Sequence, residues 1–147
     1  YHHKKILPND GVFDDKRYFL SGEDSTIIDC HGIRLGLAIC EDFWHPPVAL
    51  AAKGQGAELL ITINASPFDH EKMRRREAMM AQRVQDTGLP LIYTACVGGQ
   101  DELVYDGHSF ALNADSSLVT RAEGFKETIL VLQAQKQAGR VLLSSQQ

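Results

Sequence analysis

The sequence predicts an α/β fold of layered type, with helices packed on a mixed sheet. Three observations predict it. In the middle of the chain, apolar runs rich in β-branched residues alternate with longer stretches of helical period. Prolines open one of these helical stretches and glycines close both. The last third then offers short strand candidates and no helical pattern.

In chain order, "KKIL" at residues 4–7 reads as a strand that Pro8 halts. "STIID" (25–29) and "IRLGLAI" (33–39) read as two strands around a turn at Cys30, His31 and Gly32. "HPPVALAAKGQGA" (45–57) has prolines suited to a helix start, an Ala-rich body and terminating glycines. "ELLITINA" (58–65) is apolar throughout, as in a strand covered on both faces. In "DHEKMRRREAMMAQRVQDTG" (69–88), Asp69 is the expected cap and Met73, Ala78, Ala81 and Val84 the buried face, with Gly88 closing the helix. "LPLIYTACV" (89–97) is a further buried strand, and "GGQDELVYDG" (98–107) a polar, glycine-rich loop. Strands are expected in "HSFALNA" (108–114), "SLVTRA" (117–122) and "TILVLQA" (128–134). "GRVLLSSQQ" (139–147) is expected to be frayed or borrowed by a partner. The expected domain therefore spans residues 1–133, and 134–147 form a tail or the start of a linker.

Bulk properties bound the function. A chain of 147 residues is long enough for one domain with a real core. Hydrophobic residues at 44% and charged residues at 23% describe an ordinary globular composition. A net charge of −4 gives no whole-domain attraction to nucleic acid or to an anionic membrane surface. No apolar run approaches the roughly 20 residues of a membrane span. The 3 cysteines lack metal-ligand spacing, so neither a zinc site nor a disulfide framework is expected, and a reducing, cytoplasmic setting is. Starting at Tyr1 without Met, the chain is expected to be a piece of a longer protein.

Four segments carry residue types suited to chemistry. In "LGLAICEDFW" (35–44), Cys40 stands where a buried strand stops. Strand ends collect ligands in α/β sheets, and a thiol there is a nucleophile if a cation or base lies close; otherwise it is a small core residue. Cys30 and Cys96 lack the flanking carboxylates and read as packing residues. Lys4 and Lys5 read first as a solvated strand end; otherwise one can face a cleft and lower a thiol pKa while the other meets water. Asp14, Asp15, Lys16 and Arg17 read as a surface charge cluster. "NASPF" (64–68) reads by itself as a loop and helix cap, and as a tight turn its amides can also face a ligand. "GGQDELVYDG" lacks the Gly-Lys-Ser/Thr ending of a phosphate loop.

Taken in order, "KKILPN…GVFD…KRYF", "ICEDFW", "NASPF" and "GGQDELVYDG" give the chain a resemblance to the nitrilase superfamily of carbon–nitrogen hydrolases. Within it, the chain is most similar to the amino-terminal glutaminase domains of glutamine-dependent NAD synthetases. The resemblance runs from about Tyr1 to about Leu132. It implies an αββα sandwich, here partial with its first strands missing, and a Cys–Lys–Glu site that hydrolyses the amide of glutamine. By motif match Cys40 is the nucleophile, Lys4 the site lysine, and the Glu41 backbone amide a second oxyanion donor. Ser66 and Lys72 match positions that hold the α-amino and carboxylate groups of glutamine, and Phe43 and Trp44 are pocket walls. The site glutamate belongs to a segment before the lysine, so this chain is expected to lack it. Asp15 stands where the family has a second glutamate, Asp10 where tyrosine is common, and Ala95 where asparagine is usual. Lys4 is expected to depress the Cys40 pKa.

The resemblance further implies no cofactor for this domain, with ATP and magnesium confined to a synthetase domain that nothing here resembles. It implies glutamine, that synthetase domain and further copies of the chain as partners. Two other readings stay open on the sequence: an amidase for another small amide, and a fragment without activity that serves in docking.

Overall fold

The computed structural model describes residues 1–146. Its elements in order are α1 (Asp15–Tyr18), β1 (Ile27–Cys30), β2 (Ile33–Ile39), a 3₁₀ turn (Cys40–Trp44), α2 (Pro46–Gly54), β3 (Leu59–Asn64), α3 (Lys72–Thr87), β4 (Leu91–Ala95), β5 (Val97–Gln100), β6 (Leu103–Asp106), β7 (Phe110–Leu112), β8 (Leu118–Arg121), β9 (Leu132–Gln137) and β10 (Arg140–Ser145). Six strands form one sheet in the order β1-β2-β3-β4-β7-β8. β2, β3 and β4 run parallel, and β1, β7 and β8 join antiparallel. The expected mixed sheet is therefore present.

Parallel neighbours need a crossover, and the two helices supply it. α2 joins β2 to β3 and α3 joins β3 to β4, so both helices lie on one sheet face. Beneath them sits the main core of Ala38, Phe43, Val48, Leu60, Met80 and Tyr93, with Tyr93 stacked on Phe110. Gly36 lets α2 come this near. A Cβ there would lie 2.9 Å from that of Ala57 and 3.1 Å from that of Ala52. The parallel arrangement also places the C-terminal ends of β2 and β3 side by side, where Cys40 and the Asn64–Phe68 turn emerge.

Several expected elements are corrected. Cys30 ends β1, and the turn is only His31 and Gly32, both with positive φ (51° and 81°), the requirement of a two-residue hairpin of this hand. The 4–7 segment is no strand, because the Asp42 carboxylate takes its amides in place of a neighbouring chain. α3 begins at Lys72, with Asp69 two residues ahead of its N-cap, Glu71. Its buried face is Arg76, Met80, Arg83, Val84 and Thr87; of the expected set Val84 is buried, Met73 and Ala81 are partly buried and Ala78 is exposed. Arginine reads as a surface residue, and only the ion pairs described below make its burial feasible. Gly88 closes the helix with φ 66°, as expected.

The segment expected to be a polar loop is the β5–β6 hairpin, turning at Asp101 and Glu102 and pairing Gly98 and Gly99 with Tyr105 and Val104. The tail is not frayed: β9 and β10 pair over six residue pairs, from Gln137–Arg140 to Leu132–Ser145. Val141 and Leu143 pack with Leu59 and Ala111 on the sheet face opposite the helices. Asn113 fastens this hairpin, accepting from the Leu143 N–H at 2.9 Å and donating to its carbonyl at 3.1 Å. The boundary expected at residue 133 falls inside β9, and Gln147 lies outside the described residues. β3 is covered on its helical side, but on the other side the hairpin stops short of Ile63, which is 56% exposed.

Gly36→Ala tests the close approach of α2 to the sheet. Overpacking of this kind costs about 1–3 kcal/mol, and urea unfolding should report a loss in that range.

Candidate active site

Cys40 directly follows β2 and has φ 49°, a left-handed conformation that a side chain makes costly. The unusual backbone turns the chain sharply from strand into the 3₁₀ turn. It leaves the thiol half-buried at the floor of an open cleft of about 1630 Å³. Lys4, Asp15, Glu41, Trp44, Ser66 and Lys72 share the lining. Phe43 does not: it is wholly buried in the core under the helices, because successive residues of the 3₁₀ turn point to different sides. Its expected role as a pocket wall is corrected to a packing role.

Lys4 lines the same cleft. Its Nζ lies 3.3 Å from Asp15 Oδ2, a direct contact made by the first residue of the short helix α1. The shorter aspartate therefore meets this lysine without an intervening group, since the loop 8–14 folds back and the Asp15 N–H bonds to the Pro8 carbonyl. Asp10 also lines the cleft, at its exposed edge, whereas Ala95 ends β4 with its N–H bonded to Ser109 Oγ.

The thiol's charge balance differs from expectation. Burial raises the Cys40 pKa more than Lys4 lowers it, and the Glu41 carboxylate adds to the rise. The Glu41 backbone amide and Lys72 act in the lowering direction. The net shift is upward, so the sequence expectation of a depressed value is corrected: one lysine at this depth does not offset the lost hydration. The Glu41 side chain itself turns to His45, 3.6 Å away.

The far wall is cationic. Lys72, first residue of α3, is held below the usual lysine pKa by burial and then by the neighbouring Arg76. Lys72 Nζ and the Arg75 guanidinium lie 5.9 and 5.8 Å from the Trp44 ring centroid. Ser66 is buried in the turn after β3. That turn is fixed by Arg76, which donates to the Ser66 and Pro67 carbonyls at 2.8 and 3.1 Å and to Asp106 Oδ1 at 2.8 Å. Arg75, Arg76, Asp106 and Asp42 escaped the sequence reading. Among these, only the run of three arginines (74–76) on a helix carrying an apolar stripe hinted that one must face inward. All three cysteines are free, and among the described residues no cluster of three or more His, Cys, Asp or Glu side chains is arranged to hold a metal ion. No helix among them is long and apolar enough to cross a membrane.

A half-buried cysteine at a parallel strand end thus shares one cleft with a lysine. The sequence profile described as carbon-nitrogen hydrolase matches residues 1–141, and the chain belongs to that family. Its sequence is similar to glutamine-dependent NAD(+) synthetases: it is 42% identical over 127 residues to that of Rhodobacter capsulatus, covering 86% of this chain and 23% of that protein. Among solved structures, it resembles glutamine-dependent NAD+ synthetase from Acinetobacter baumannii, in complex with adenosine diphosphate (TM-score 0.81, 34% identity, 85% of this chain and 24% of that one). It also resembles a carbon-nitrogen hydrolase from Helicobacter pylori G27 (TM-score 0.76, 26% identity, 97% and 50%). The chain thus spans about a quarter of the length of the synthetases it matches. The nitrilase-superfamily fold and the hydrolase class expected from sequence are borne out.

Two outcomes are expected. The rate of Cys40 alkylation plotted against pH should have its midpoint above the ordinary thiol range, and Lys4→Ala should move it higher still, since Lys4 favours the thiolate. Arg76→Met should strand the buried Asp106 carboxylate and cost about 3–5 kcal/mol in chemical denaturation.

Proposed function

We propose that the chain carries the nucleophile half of a glutaminase, which hydrolyses the side-chain amide of glutamine and supplies ammonia for NAD synthesis. The observation that supports this most is that Lys4, Cys40 and Glu41 line one cleft, with Lys4 near enough to favour the Cys40 thiolate. In this reading the Cys40 thiolate adds to the carboxamide carbon. The oxygen gains negative charge and is met by Lys4 and the Glu41 N–H. The carbon–nitrogen bond then breaks, the nitrogen takes a proton and leaves as ammonia, and a glutamyl thioester remains. Water adds to the thioester, glutamate departs, and the thiol is restored.

A thiol raised by burial needs a base to take its proton and return it to the leaving nitrogen. The family resemblance assigns that part to a glutamate upstream of Lys4. Asp15 in this reading holds the lysine ammonium in place. Lys72 and Ser66 hold the α-carboxylate and α-amino groups, and Trp44 forms the wall between them. The two cations on Trp44 favour a substrate bearing a carboxylate over a simple neutral amide, which is why glutamine is preferred to other amides as the substrate.

The domain needs no cofactor for this chemistry. ATP and magnesium serve the synthetase domain, the proposed recipient of the ammonia, in a cytoplasmic, self-associating protein.

Covalent labelling with a glutamine-like diazo-ketone, read by peptide mass spectrometry, tests the assignment. An adduct on Cys40 alone, suppressed by free glutamine and lost in Cys40→Ala, is expected. Equal labelling of Cys30, Cys40 and Cys96, or labelling indifferent to glutamine, would refute it, and protection by another amide would move the substrate to that compound.

A further inference from the structure

Asp42 stands two residues past Cys40 and is wholly buried. A carboxylate loses a strong hydration shell on burial, and here backbone donors replace it. Oδ2 accepts the N–H of Ile39, the last residue of β2, at 2.9 Å. Oδ1 accepts the N–H groups of Lys5 and Ile6, both at 2.8 Å. His2 Nε2 lies 3.6 Å from Oδ2 and its other ring nitrogen 2.9 Å from Thr26 Oγ1, so the chain just before Lys4 is gathered to the same point.

The two ends of this clamp are the two halves of the candidate site. Ile39 precedes Cys40, and Lys5 follows Lys4. The Lys4–Ile6 segment belongs to no strand, so sheet pairing does not fix its position. We propose that Asp42 is the positioning residue of the site: its carboxylate sets the distance between nucleophile and lysine by holding the backbone beside each.

The chemistry of the side chain makes this specific. An asparagine could accept from Lys5 and Ile6 only by aiming its own NH₂ at the Ile39 N–H, and flipping the amide transfers the conflict to the other side. A carboxylate alone accepts in both directions. The inference rests on reading Cys40 and Lys4 as partners, and its test requires no glutamine, so failure of the substrate assignment would leave the result interpretable.

The pH dependence of Cys40 alkylation by iodoacetamide should be measured in the protein as its natural gene encodes it. The set comprises the unaltered protein, Asp42→Asn, Lys4→Ala and the double variant. If Asp42 acts by placing Lys4, each single change moves the midpoint upward and slows alkylation at neutral pH, about tenfold per pKa unit. The double variant then matches Lys4→Ala. An unchanged profile in Asp42→Asn overturns the proposal. So does a double variant slowed by the product of the two single effects, the mark of independent sites. Amide hydrogen exchange in the unaltered protein is the second measurement and needs no variant to fold. Protection of the Lys5 and Ile6 amides, although they lie outside any strand, is expected; free exchange overturns the clamp.

Discussion

The buried Arg76 guanidinium is the constraint on which the cleft side of the molecule depends. It joins three parts that share no strand pairing: helix α3, the turn after β3, and the β5–β6 hairpin through Asp106. With 2% and 1% side-chain exposure, neither charge of the pair can be satisfied by water. Beyond the ion pair, Arg76 Nη2 donates to two carbonyls of the turn, while its Nε has no hydrogen-bond partner among the described residues. The position of Ser66 in the cleft wall thus follows from a buried charge pair outside the cleft lining, and after burial the Arg76 cation also lowers the Lys72 pKa.

On the other side of the cleft the same economy recurs with the sign reversed. A buried carboxylate organises the segment that carries Lys4, and a second, half-exposed carboxylate, Asp15, meets that lysine directly. The nucleophile sits between an acidic support and a basic one. Its own environment is nevertheless dominated by lost hydration rather than by either charge.

The strands of the parallel centre were legible because an apolar, β-branched run bounded by turn residues has few other destinations; "IRLGLAI" and "ELLITINA" are such runs. The ends of α3 were nearly legible from Gly88 and the acidic residues ahead of Lys72. Its buried face was not, since two of its members are arginines whose partners, Asp106 and Asp86, cannot be recognised before the chain is folded. "GGQDELVYDG" misled for a similar reason: glycines that suggest a loop here serve a hairpin standing off the main sheet. Cys40 and Lys4 stood out as candidates by local pattern, their pairing and Ser66 and Lys72 came only from ordered motifs, and Asp42 had no signal, because a residue that bonds to backbone leaves no pattern in side-chain types.

The left-handed backbone at Cys40 has a consequence for how this position is kept. A glycine there would relieve strain on the order of 1 kcal/mol and remove a half-buried thiol. Selection for thermodynamic robustness alone would drive the site toward glycine. A cysteine at that point is kept at a conformational cost, and the surrounding clamp and ion pair supply the rigidity that makes the cost sustainable.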